Sequence, residues 1–456
     1  MGLARMRRRT LLLGCMGVPP ALMAMSVPTG ATLAAASPVG KRVFAHYMVA
    51  WPRGGRNAGI DDYIAEFRDA QQRGIDGFAL NCGGWHRSEP LYRARVLTMY
   101  RAAEQFGGFK LFVSADGKAQ DELDDIVQTT ARLPAQLTVD GKPVVSSYAL
   151  GGNDAERCRA LILEAESLDA YFVPHFVPSS GEAEIGDSVA SEVANRCQAA
   201  QGYFYFGAAG APDSLARSIK HLATALKSAG KVFMAPVTPY YRGLASGTNY
   251  RAFETNGFSG MATEWLAAIH ANVDWVQIVT WNDWAESTYV APIGSSARAQ
   301  VYNPRFGGLL SHSAYLDASR YFIEWFKRGA APAITQDRFY YFYRLHPVGV
   351  SAMASIGTSV GNATAPRSRT LMTAQIHVTM FLTERAILIV TQGNARTTRD
   401  LPAGMSEVAV PSIPGTPRFT LIRNGKTIAD KTGEEPIRTN DFSGAFNYFS
   451  GSSAQN

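Results

Sequence analysis

Cysteine is scarce in this chain of 456 residues, with only four, at positions 15, 82, 158 and 197. The last three form neither an even set nor a metal-type spacing, which excludes a disulfide-stapled scaffold and a zinc site. Cys158 and Cys197 can pair, or all three can remain thiols. Charge is also sparse, at 18% of residues, and the net charge is +6. Four of those positive charges are Arg5, Arg7, Arg8 and Arg9, which leaves +2 for everything downstream. Nucleic acid is therefore not an expected partner. Beyond residue 40 no run approaches the roughly 20 apolar residues of a membrane span. No nucleotide or dinucleotide loop is present. What the chain does have is 46% hydrophobic and 11% aromatic residues, enough to exclude disorder and to build a large core.

The first 36 residues read as an export signal. Arg7 to Arg9 form a positive start, 11–27 an uncharged stretch, and Ala34-Ala35-Ala36 a small-residue cleavage site. Arg8-Arg9-Thr10-Leu11-Leu12 resembles a twin-arginine signal. The expectation is an exported protein, periplasmic or secreted, a monomer with no stable membrane insertion.

From residue 42 to about 330, short apolar runs alternate with amphipathic stretches. Strands are predicted at 43–49, 77–81, 110–114, 143–148, 170–176, 203–206, 232–237 and 275–281. The segments between them have helical period, as in the stripe Tyr63, Ile64, Phe67, Ala70. Gly74, Gly108 and Gly230 each stand just before a strand, where a left-handed glycine ends a helix. Eight such units predict an α/β fold, a (β/α)8 TIM barrel over 37–347, with 312–327 as its closing helix. Residues 348–369, rich in Gly, Ser, Ala and Thr, read as a linker. Beyond them the period becomes two, with Ile376, Val378, Met380 and Leu382 on one side. Asn424-Gly425 signals a hairpin, so 370–456 is predicted to be a small C-terminal β-sandwich domain.

In such a barrel the chemistry sits at the C-terminal ends of the strands. Reading off those ends gives His46 and Tyr47, Asn81, Asp116, Tyr148, His175, then Tyr240 and Tyr241, and finally Trp281, Asn282, Asp283 and Glu286. Polar and aromatic groups without a phosphate cradle or nucleophile–base pair suit carbohydrate. Glycoside hydrolysis needs two carboxyl groups flanking the bond. Asp283 and Glu286, three apart after the last strand, can supply them, and Trp281 and Trp284 would raise a neighbouring carboxyl pKa. The same Asp-x-x-Glu spacing also fits a helix-capping box, so spacing alone leaves both readings open.

Four ordered motifs settle the preference. Phe44-Ala45-His46-Tyr47-Met48-Val49, Gly74-Ile75-Asp76-Gly77-Phe78-Ala79-Leu80-Asn81, Met234-Ala235-Pro236-Val237-Thr238-Pro239 and the run from Ile278 to Ser287 resemble glycoside hydrolase family 71. The resemblance implies an α-1,3-glucanase (mutanase) with an inverting mechanism; the expectation is internal cleavage of α-1,3-glucan, with no metal or cofactor required. It maps the family's acidic pair onto Asp283 and Glu286. Glu286 is taken as acid and Asp283 as base, with the reverse also open and Asp116 as a substitute partner. Expected substrate contacts are His46, Asn81, Asp116, Tyr148, Trp281, Asn282 and Tyr240. The chain departs from the family at Trp284-Ala285, where Tyr-Gly is usual. Two rivals remain: hydrolysis of another α-glycan, and a non-catalytic polysaccharide-binding protein.

Overall fold

The computed structural model describes residues 39–86, 91–179, 181, 184–243, 251–293, 309–347, 356–357, 362–363, 367–368, 372–439 and 446–454. The expected export signal and most of the expected linker lie outside them. The chain forms a mixed α/β unit followed by two antiparallel sheets. Its parallel strands are β1 (Arg42–Met48), β2 (Gly77–Cys82), β3 (Lys110–Ala115), β4 (Lys142–Ser147), β5 (Tyr171–Val173), β6 (Gly202–Phe204) and β7 (Val232–Val237). After a short antiparallel pair, β8 (Tyr241–Arg242) with β9 (Arg251–Phe253), comes the last parallel strand, β10 (Trp275–Ile278). All eight parallel strands fall within a few residues of their predicted places.

The parallel strands order as β5-β4-β3-β2-β1-β10-β7-β6 in one curled sheet. Its two ends approach one another: Gln201 N–H donates to Phe172 O (3.0 Å) and Phe204 N–H to Pro174 O (2.8 Å). Each strand is buried on both faces, and alternation assigns the faces. Val43, Ala45 and Tyr47 of β1 face the helices, whereas Phe44 faces inward with Ala79, Phe112, Phe204, Met234 and Trp275. Continuing that parity to the strand ends puts His46, Asn81, Asp116, Tyr148, His175 and Phe206 on the concave side. Gly77 is dictated by packing, since a Cβ there would lie 2.0 Å from the Lys110 carbonyl oxygen. Gly74, Gly108 and Gly230 all have positive φ, as their positions predict.

Helix α1 (Ile60–Gln71) covers β1 and β2, and α2 (Ser313–Arg328) lies beside it, with Asp317 paired to Arg73 (2.6 Å) and Lys327 to Asp76 (2.6 Å). The strand Arg338–Tyr343, assigned on sequence to the barrel segment, belongs instead to the C-terminal unit. It pairs antiparallel with Gln375–Leu382 on one side and Phe449–Ser452 on the other. The reason is visible in its side chains. Phe339, Tyr341 and Tyr343 enter the core between the two antiparallel sheets, while Tyr340 and Phe342 pack on the first unit. A strand apolar on both faces carries no period-two signal, so its partner sheet could not be read from pattern. The second sheet, Ala395–Leu401, Ala386–Gln392, Arg418–Arg423 and Lys426–Thr432, shares that core through Leu388, Val390, Leu401, Phe419 and Leu421. Asn424-Gly425 is its hairpin turn, with both residues at positive φ.

Candidate active site

Beyond β10 the chain makes a loop that closes on itself. Thr280 N–H donates to Thr288 O (2.9 Å) and Val290 N–H to Thr280 O (3.1 Å). The loop is then pinned residue by residue. The Trp281 indole N–H donates to Glu66 Oε2 of α1 (2.6 Å). Asn282 accepts from Met48 N–H (2.7 Å) and donates to Trp51 O (2.8 Å). The Trp284 indole N–H also donates to Trp51 O (3.0 Å). Arg242 N–H of β8 donates to Glu286 O (2.9 Å). With the flanking residues anchored in protein, Asp283 and Glu286 are held together at the mouth of the sheet.

Half of the anticipated capping box exists. Asp283 Oδ1 accepts from Glu286 N–H (3.1 Å). The reciprocal bond is replaced, because Asp283 N–H donates to Thr280 Oγ1 (2.8 Å). The Glu286 carboxylate instead accepts from the Tyr241 hydroxyl at Oε1 (3.2 Å). Asp283 is only 6% exposed and Glu286 more open. Burial, and then the charge of Glu286, push the Asp283 carboxyl well above its ordinary range; the N–H groups of Glu286 and Ala285 pull the other way without prevailing. The turn thus joins a carboxyl whose pKa is raised to a second carboxyl group that accepts a hydrogen bond.

The concave side of the sheet holds four of the expected residues. His46 is buried, 2.9 Å from the Gln277 amide at Nδ1, and burial with the neighbouring His175 lowers its pKa to about 3. It is a neutral ring at working pH. Asn81 Nδ2 approaches Asp116 Oδ2 at 3.4 Å. Burial raises the Asp116 pKa against the pull of Asn81, the Gly117 N–H and His175. Tyr148 stacks on His175 (5.0 Å, 20°) and meets Phe206 edge-on (4.8 Å). Tyr148, Asp116 and Phe206 keep partial exposure, so the wall presents two rings and a carboxyl.

Three expected contacts are placed elsewhere. Trp281 and Asn282 are fully buried and turn toward α1 and the end of β1, as above. Tyr240 is fully buried, and its hydroxyl donates to Phe446 O (3.2 Å) at the junction with the antiparallel sheets. Residue type identified these side chains as sugar-binding groups, but strand parity ends at the loop and could not say which way each turns. Conversely, Phe206 and Glu66 were missed. Phe206 repeats Phe204 at period two, a strand-end signal, but β6 offers no polar group there. Glu66 completes an i, i+3, i+4 stripe with Tyr63 and Phe67, and a buried Glu on an apolar stripe marks a partner.

Among the described residues, no group of three or more His, Cys, Asp or Glu is arranged to hold a metal ion. The family model for Glycosyl hydrolase family 71 matches residues 39–456. The chain is 27% identical over 421 residues to "Glucan endo-1,3-alpha-glucosidase agn1" of Schizosaccharomyces pombe, covering 87% of this chain and 91% of that protein. It is 26% identical over 423 residues to "Mutanase Pc12g07500" of Penicillium rubens, covering 90% and 88%. Among solved structures, the GH99 endo-alpha-mannosidase from Bacteroides thetaiotaomicron aligns with a TM-score of 0.47 and 14% identity, over 64% of this chain and 99% of that one.

Proposed function

Because the chain belongs to glycosyl hydrolase family 71 and is a glycoside hydrolase, we propose that its substrate is α-1,3-glucan, cleaved internally with inversion. We read the curled sheet as a (β/α)8 barrel and the two antiparallel sheets as a β-sandwich. The leader is proposed to export the enzyme, by the twin-arginine route; no helix among the described residues is long and apolar enough to cross a membrane.

The observation that carries the mechanism is the unequal environment of Asp283 and Glu286. It favours the reverse of the roles expected on sequence. Asp283, which holds its proton, is the general acid, and Glu286, which receives the Tyr241 hydrogen bond, is the base. Asp283 protonates the glycosidic oxygen as the C1–O bond breaks, and the leaving sugar departs as an alcohol. Glu286 takes a proton from a water whose oxygen attacks C1 on the opposite face. The transition state resembles an oxocarbenium ion and gains from a nearby carboxylate. Asp116 and Tyr148 are proposed to contact the sugar, with His46 and Asn81 supporting them from behind. Trp281, Asn282 and Tyr240 are reassigned to building the site.

The test is reducing-sugar release from insoluble α-1,3-glucan beside α-1,4-glucan, β-1,3-glucan and α-mannan. Release from the first alone, as a ladder of oligosaccharides whose new ends are β by NMR, is expected. Release only from another α-glycan would replace the substrate, and binding without release from any polymer would overturn the enzyme reading. For the roles, Asp283→Asn should keep most of its rate on a substrate with an activated leaving group, where Glu286→Gln should not.

A further inference from the structure

The Glu286 residue is gripped twice by one short strand. Tyr241 donates to its carboxylate (3.2 Å) and Arg242 N–H to its carbonyl (2.9 Å). Tyr241 is itself buried, with the Arg251 guanidinium 5.3 Å from its ring centroid and the Phe253 ring at 6.2 Å. Those two residues come from β9, the antiparallel partner of β8. The side chain next along, Tyr240, points the opposite way, as extended backbone requires. Its hydroxyl donates to Phe446 O, and its ring lies edge-on to Tyr448 at 5.4 Å. Arg344 Nε donates to the same Phe446 carbonyl (2.8 Å) and its guanidinium pairs with Glu254 (2.9 Å), the residue that follows β9. The residues flanking the pair, Tyr240 and Glu254, are therefore fastened to the C-terminal unit, while Tyr241 and Arg242 of β8 reach the Asp283–Glu286 turn.

We propose that Tyr241 is a positioning residue for the Glu286 carboxylate, and that segment 446–448 of the C-terminal unit fixes it there through Tyr240. The proposal rests on the reading of Glu286 as the base. A hydrogen bond to the ionised form favours that form and restrains its orientation toward the attacking water. The C-terminal unit acts here as part of the site's framework, in addition to any contact it makes with polymer.

Tyr241→Phe keeps the ring and removes only the hydroxyl, so the fold should survive, which a thermal melt checks. On α-1,3-glucan its kcat should fall at least about tenfold with KM held within about twofold, the pattern of a lost transition-state interaction. The limb of the pH–rate profile governed by Glu286 should move to higher pH. Tyr240→Phe should show the same pattern at a smaller size, a loss of about two- to fivefold. Unchanged kcat and pH limb in Tyr241→Phe overturn the proposal, and a change confined to KM overturns it by making Tyr241 a binding residue. A wild-type profile in Tyr240→Phe overturns the part given to segment 446–448. The Glu286 titration, followed by carboxyl 13C NMR and identified with Glu286→Gln, needs no substrate. A midpoint unmoved by Tyr241→Phe rejects the positioning role whatever the enzyme cleaves. A moved midpoint in an enzyme inactive on every glucan supports that role and faults the functional reading alone.

Discussion

Asp283 at the mouth of the curled sheet is 6% exposed, and Glu254 at the junction with the antiparallel sheets is 7% exposed. Depth alone would push both carboxyl pKa values up. Asp283 goes up, because burial raises it and the charge of Glu286 adds to the rise. Glu254 ends below its ordinary value: burial raises it, but Arg344, His377, the Tyr448 hydroxyl and the Thr373 N–H together outweigh that rise. The two carboxyls thus separate by partners rather than by burial. A paired buried carboxylate is fixed and inert, whereas a buried carboxyl facing a like charge keeps a proton that it can give away.

The widest separation should come from neutral replacements. Asp283→Asn and Glu286→Gln should each lower kcat by about a hundredfold to ten-thousandfold, the usual span for a lost acid or base. Neither should lower the melting temperature, since each leaves a single ionisable carboxyl in the turn and adds no unpaired charge. A lower melting point in Asp283→Asn would show that its carboxyl holds the fold, and the comparison would collapse.

Next in size is the junction. Glu254→Gln strands the Arg344 guanidinium, which is 2% exposed, and should cost about 3–5 kcal/mol of stability in urea unfolding. The double variant Glu254→Gln/Arg344→Met should recover a large part of that cost, because no unpaired charge is then left buried. Equal losses in the single and double variants would mean that the pair's charge is not what matters there.

The last test concerns a third carboxyl, Glu407, on the antiparallel sheet. Burial raises its pKa from 4.5 to about 8 despite the Thr379 hydroxyl at 3.0 Å. Between those values the folded chain keeps a proton that the unfolded chain has released, so stability falls as pH rises from 4.5 to 8. Glu407→Gln should flatten that fall, matching wild type near pH 4 and melting higher at pH 8. Parallel curves for the two proteins would remove Glu407 from the class of proton-holding carboxyls.

The contrast between Asp283 and Glu254 also marks what a linear reading can reach. Asp283 and Glu286 are three residues apart, follow a strand with a strong apolar signature, and lie inside a family motif, so they were legible. So were the eight parallel strands, whose runs begin and end at glycines and polar caps. Glu254 pairs with a residue 90 positions away, and nothing local distinguishes it from a solvent-exposed glutamate. The orientation of Trp281, Asn282 and Tyr240 is a tertiary fact of the same kind. Each sits where strand parity has lapsed and a hydrogen bond to a distant element decides direction. Arg338–Tyr343 escaped for a simpler reason, being apolar on both faces.

The bond from Tyr240 to Phe446 spans 206 positions, and the one from Glu254 to Tyr448 spans 194. At translation rates of roughly 5–20 residues per second, roughly 10–40 s separate the emergence of the two partners. During that interval the curled sheet can form from local βα pairings, while β8 and β9 still lack their fastening. On the proposed reading, the contacts that build the sheet are available before the contact of Tyr240 with segment 446–448. If Glu286 is held as proposed, a chain interrupted before Phe446 carries both Asp283 and Glu286 and still lacks the bond that fastens Tyr240.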